Sequence, residues 1–137
     1  MAGADLETLL RGIEAIYADL GEADRDAEDL PIDPGDPGPL LDAAAEAQIE
    51  AVLRTLRRIA AAARSASTLP PPPPNALHGA LGGAALLMRS DFLLGRTADL
   101  PPRLPAFAYL TTLIFLDRDE AERRSREVEA LVESSGW

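Results

Sequence analysis

Ile49-Glu-Ala-Val-Leu-Arg-Thr-Leu-Arg-Arg-Ile-Ala-Ala-Ala-Ala63 is the stretch that decides the fold class. Ile49, Val52, Leu53, Leu56, Ile59, Ala60 and Ala63 recur at steps of three and four, which puts them along one side of a helix. Asp42, Glu46 and Glu50 precede this stripe and Arg54, Arg57, Arg58 and Arg64 follow it. That order complements the helix dipole, and Glu50–Arg54 has the spacing of a favourable pair. The pattern predicts a helix from Pro39 or Leu40 to about Ala66. Its basic half could serve a phosphate or nucleic acid, but dipole complementarity or pairing with acidic N-terminal residues accounts for it better.

The same period appears upstream in Leu6, Leu9, Leu10, Ile13, Ile16, Tyr17 and Leu20, which form one continuous stripe. Asp5 is placed as an N-cap and Gly21 as the C′ residue; Gly12, inside, costs about 1 kcal/mol relative to Ala. Composition agrees with helix throughout. Ala supplies 25 and Leu 22 residues, against 6 Ile, 3 Val and 6 aromatics. A sheet needs the β-branched and aromatic side chains that are scarce here.

Twelve prolines interrupt the helical segments in three clusters: Pro31 to Pro39, Pro70 to Pro74, and Pro101 to Pro105. The run of five prolines predicts a stiff polyproline II spacer at 70–74. Asn75 then reads as the cap of a third helix, which continues to about Leu94 with Gly95 as C′. Pro105 is placed at the first position of a fourth helix, with Ala106 to Leu116 as its body. Asp117 and Glu120 have capping-box spacing at the start of a fifth helix, where Ala121, Val128, Leu131 and Val132 make a narrow stripe. Asp119–Arg123, Glu120–Arg124 and Glu122–Arg126 suggest exposed ion pairs along it. Residues 1–137 are therefore expected to form one all-α domain of four to five helices, an orthogonal or up-down bundle with proline-rich connections.

The net charge of −10 is unevenly placed, because residues 1–39 hold 11 acidic and only 2 basic side chains. Seven of those carboxylates lie between Glu22 and Asp36. With few apolar anchors, residues 22–39 are expected to be a mobile acidic loop that could meet a basic partner. A calcium loop counted from Asp24 fails, since its sixth and twelfth positions hold Asp29 and Gly35 instead of Gly and Glu.

Much chemistry is excluded by residue type. No cysteine means no disulfide, thiolate zinc site or thiol nucleophile. All 13 basic residues are Arg, which removes Schiff-base lysines and the phosphate-loop lysine. The acidic balance argues against nucleic acid or an anionic membrane as partner. His78 alone makes no histidine-rich metal site, and no nucleophile and carboxylate are spaced to form a triad with it. The expectation for His78 is a packed helix residue. No catalytic residue, cofactor or metal is assigned. Met1-Ala-Gly-Ala-Asp lacks the pattern of a secretory signal, and Ala76 to Met88 is too short to span a bilayer, so a cytoplasmic chain is expected.

Two function classes follow. The first is a non-enzymatic interaction or adaptor module that self-associates. Gly79 and Gly83, four apart and followed by Leu87, would let another backbone approach closely, either inside the monomer or across a homodimer seam. The third helix from Ala76 to Met88 carries no charge on any face, and neither does the fourth from Ala106 to Leu116; so small a monomer has difficulty hiding both. The second is a small-molecule sensor. Its pocket between helices three and four would be lined by Leu77, Leu81, Met88, Phe107, Leu110 and Ile114, with His78, Tyr109 and Thr111 orienting a ligand. Asn75 to Leu116, about a third of the chain, resembles the ligand-binding half of TetR-type regulators, although the DNA-reading N-terminal motif of such regulators is absent. Six aromatics are few for such a pocket, which favours the first class.

Overall fold

The computed structural model describes residues 2–20, 41–96 and 100–135, with side chains from Leu6 onward. Five helices account for 79% of these residues, and there is no strand among them. The acidic segment 22–39, the Gly21 cap and Trp137 lie outside the described residues.

Helix α1 spans Ala2–Ile16. It begins three residues before Asp5, so Asp5 lies inside the helix and does not cap it. Leu6, Leu9, Leu10, Ile13 and Tyr17 are all buried, which realises the expected stripe. Helix α2 spans Ala43–Ala66, capped by Asp42, whose side chain accepts from the Ala45 N–H at 2.8 Å. A true side-chain cap fixes the start here, later than the expected Pro39 or Leu40. Ala61 and Ala62 are buried along with Ala60 and Ala63. Four consecutive small residues let neighbours close in on more than one side of α2, which touches α1, α3 and α4.

Helix α3 spans Ala76–Leu93. Asn75 stands at its N-cap without a side-chain hydrogen bond. Its other end is a Schellman motif. Gly95 has φ of 71°, the Gly95 N–H bonds Phe92 O at 3.2 Å, and the Arg96 N–H bonds Asp91 O at 2.7 Å. Replacing Gly95 by Ala forces a Cβ into left-handed backbone, and a loss of about 1 kcal/mol in thermal unfolding is expected.

Helix α4 spans Leu100–Leu113 and starts five residues before the expected Pro105. Pro101 and Pro102 occupy its first turn, where amide hydrogens have no partner in the helix and their loss costs nothing. Pro105 sits inside, and its carbonyl accepts from the Ser125 hydroxyl at 3.1 Å. Helix α5 spans Arg118–Ser134, with Asp117 accepting from the Glu120 N–H at 2.8 Å. Glu120 does not return the bond. Its carboxylate takes Arg123 and Arg124, so half of the expected capping box forms.

Helix α5 packs along α4 and closes on α1, so the core runs between all five helices. Gly12 belongs to that closure, because a Cβ there would stand 2.7 Å from Cδ2 of Leu131. On the same side Tyr17 is buried, its hydroxyl bonded with that of Thr112 at 3.2 Å. Burial pushes the Tyr17 phenol above its ordinary value.

The ion pairs differ from the expected ones. Glu50 reaches Arg57, not Arg54, at 2.7 Å. On α5 the pairs are Arg118–Glu122, Glu120–Arg123 and Glu120–Arg124, of which only the last was expected. Arg58 reaches Glu14 on α1 at 3.0 Å, a pairing of the basic half of α2 with an acidic N-terminal residue.

Candidate functional site

Helices α3 and α4 meet as consecutive elements, and two contacts set their register. Asp91 near the end of α3 holds Arg103 near the start of α4, with Arg103 Nε at 2.6 Å from Oδ2. Leu77 near the start of α3 and Ile114 just past the end of α4 pack on the same Phe115–Leu116 cluster. The helices are therefore antiparallel, and Gly83 to Leu87 run beside Phe107 to Leu110.

Their inward sides are Leu81, Ala84, Ala85 and Met88 on α3 and Leu100, Leu104, Phe107 and Ala108 on α4. Their outward sides are also apolar. On α3 these are Gly79, Gly83, Leu86 and Leu87, followed by Leu93 and Leu94; on α4 they are Leu110 and Leu113. Leu86 is 70% exposed and Leu94 63%. Arg89 and Asp91 do not break this surface, because Arg89 is turned to Glu46 on α2 at 3.5 Å and Asp91 is buried. From Gly79 to Leu94 no ionisable side chain is exposed.

Charge is sorted to other helices. The exposed side of α5 carries Arg118, Asp119, Arg123, Arg126, Glu127, Glu129 and Glu133. A helix with water on one side ordinarily looks like α5, not α3. The contrast, more than any single leucine, marks the α3–α4 face.

The glycines of α3 differ from Gly12 in what surrounds them. A Cβ added at Gly79, Gly82 or Gly83 would meet nothing within 4 Å. Among the described residues, Gly12 is the glycine against which a neighbouring helix presses.

The nine residues of the expected pocket are dispersed. Leu81, Met88, Phe107 and Thr111 are buried in the core, filling the space between α3 and α4. The Thr111 hydroxyl is taken by Phe107 O at 2.8 Å. Leu77 and Ile114 are half-buried, and Leu110 is exposed. Tyr109 lines a groove toward α5 with Pro105, Ser125 and Glu129, on the flank of α4 away from α3. His78 is exposed, not packed as expected, although it stands three residues before the buried Leu81: it lies in the first turn of α3, at the end of the buried stripe.

Among the described residues no group of three His, Cys, Asp or Glu side chains is placed to hold a metal ion. No described helix is long and apolar enough to cross a membrane. No protein-family model, curated protein or solved structure matches the chain.

Proposed function

We propose that this chain is a non-enzymatic helical interaction module that self-associates through the outer face of α3 and the adjoining side of α4. The observation that carries the reading is the continuous exposure of Leu86, Leu87, Leu93, Leu94, Leu110 and Leu113 with no exposed charge from Gly79 to Leu94. These leucines leave on the order of 600 Å² of apolar surface in water, the upper limit of the largest patch on ordinary monomers.

A second copy is the occupant that fits. Each chain carries −10, so two copies repel wherever charged surfaces meet, and least where charge is missing. A two-fold contact sets α3 against its mate, and Gly79 and Gly83 remove the side chains that would hold two backbones apart.

Sedimentation velocity of the full chain tests this. The wild type is expected to be a dimer at micromolar concentration, and Gly83→Leu a monomer of unchanged helicity. The substitution is a clean probe, since space around Gly83 is open within one chain and leucine favours helix over glycine. A monomeric wild type at roughly 100 μM, weaker than the affinity range of specific complexes, overturns the proposal. A dimeric Gly83→Leu variant overturns the seam.

A further inference from the structure

Ser67 to Asn75 join α2 to α3 and carry the run Leu69-Pro70-Pro71-Pro72-Pro73-Pro74, which self-association through α3 and α4 does not use. Neither helix nor strand forms across these residues. The prolines have no N–H, so they donate nothing. Among the described residues the Ala76 N–H bonds Pro73 O at 3.1 Å, and no group donates to the carbonyls of Leu69, Pro70, Pro71 or Pro72.

The run is longer than its link requires. Ala66 at the end of α2 and Leu77 at the start of α3 pack on one cluster of Ala60, Ala63, Phe115 and Leu116. Packed helices stand about 8–10 Å apart, whereas five prolines in polyproline II form reach about 15 Å at roughly 3.1 Å each. Helix ends that already meet need no stiff rod between them. Exposure along the run is also uneven. Pro72 is half-buried, while Pro70, Pro71, Pro73 and Pro74 are exposed. Polyproline II has three residues per turn, so Pro72 lies on the edge toward the protein. Pro70 with Pro73 and Pro71 with Pro74 then form two parallel ridges in water. Two such ridges, spaced as Pro-x-x-Pro, are what the aromatic-lined grooves of proline-reading domains take.

We infer that the 69–74 run is a docking ligand for a partner domain whose groove is lined by aromatic side chains. The rings lie against the Pro70/Pro73 and Pro71/Pro74 ridges, and indole or phenol donors of the groove bond the carbonyls that nothing in the chain uses. Helices anchor the run at both ends and proline fixes φ, so little freedom is lost on binding. Leu69, 45% exposed, extends the apolar strip. No ionisable side chain stands between Arg64 and His78, so the contact is insensitive to salt.

Isolated SH3, WW and EVH1 domains, which share such grooves, are the probes, each titrated into the ¹⁵N-labelled full chain. At least one is expected to bind with Kd below about 1 mM and to shift the amides of Thr68, Leu69 and Asn75, the nearest residues that carry an N–H. Raising the salt about tenfold is expected to change that Kd by less than about twofold. Pro70→Ala/Pro73→Ala and Pro71→Ala/Pro74→Ala are each expected to weaken binding by about tenfold or more, with the circular dichroism unchanged because the run lies outside the helices. Pro72→Ala, on the inward edge, is the control and is expected to stay within about twofold of wild type. No binding by any of these domains at roughly 1 mM overturns the inference. So does binding that shifts amides only elsewhere in the chain, that falls steeply with salt, that both double variants leave unchanged, or that Pro72→Ala weakens as much as they do.

Discussion

Replacing Arg124 by methionine is expected to destabilise the chain by about 3–4 kcal/mol, in the range for breaking a buried charge network. Arg124 is 3% exposed although it sits on the most charged helix. Its Nη1 donates to the carbonyl of Ile16, the last residue of α1, and to Asp19 at 2.7 Å, while Nη2 reaches the other Asp19 oxygen at 3.0 Å. Its Nε donates to Glu120 at 2.7 Å, and the guanidinium carbon lies 5.5 Å from the Tyr17 ring centre. One side chain thus caps the end of α1 and ties it to α5. Methionine preserves the apolar stem against Tyr17, so the loss isolates the guanidinium contacts. Urea unfolding at fixed protein concentration measures it. A cost below about 1 kcal/mol would reduce the network to the value of ordinary surface pairs.

The same network gives the fold an acid limit. The hydrogen bond from Arg124 holds Asp19 below its ordinary carboxylate value, and hydrogen bonds from Arg123 and then Arg124 do the same for Glu120. A carboxylate depressed in the folded state contributes stability above its unfolded pKa, near 4, and that contribution is lost as pH falls through the folded value. The wild type is therefore expected to lose stability on acidification below about pH 4. The Arg124→Met variant should show a shallower slope there. Asp19 is exposed to water, so its share of the slope is small.

Arg124 also shows where sequence reading stops. The pattern Ala121, Val128, Val132 passes through position 124 or 125, and an arginine there, four residues from Glu120, reads as one more solvent-side pair. Nothing in the spacing tells that Asp19 and the Ile16 carbonyl wait across the interface, more than a hundred residues away. The stripes of α1 and α2 were legible because each has one apolar side and one charged side, and burial follows that asymmetry except at Thr55, Ala61 and Ala62, which are buried off the stripe, and at Ile16 and Leu20, which are half-buried on it. The start of α4 was misread for a local reason. Proline is disfavoured in a helix interior and suits a first turn, which placed the start at Pro105; Pro101–Pro102 is the first turn instead, and α4 carries Pro105 inside it. The outer leucines of α3 follow from the absence of charge between Ala76 and Met88, which was visible. Which residues of α3 would face out was not.

That last gap makes Asp91 decisive. A helix apolar on all sides has no preferred inward face, so hydrophobic burial alone leaves the rotation of α3 poorly determined. The ionic residues near its C-terminal end remove the ambiguity. Arg89 reaches Glu46 on α2 and Asp91 takes both donors of Arg103 on α4, at 2.6 and 3.1 Å, with Arg96 at 3.9 Å. Asp91 is 1% exposed, and any other rotation of α3 would strand that carboxylate without its fork. Asp91→Ala is accordingly expected to cost about 3 kcal/mol, with Asp91→Ala/Arg103→Met costing clearly less than the sum of the singles, because the two side chains share one contact. A second readout follows from rotation. Once the pin is gone, Leu86 and Leu87 no longer hold one orientation relative to Leu110 and Leu113, so the Asp91→Ala chain should dimerise more weakly even at temperatures where it remains folded. Additive single and double variants, with a sedimentation coefficient unchanged from wild type, would show instead that packing along α2 sets the rotation and that the ion pair merely follows it.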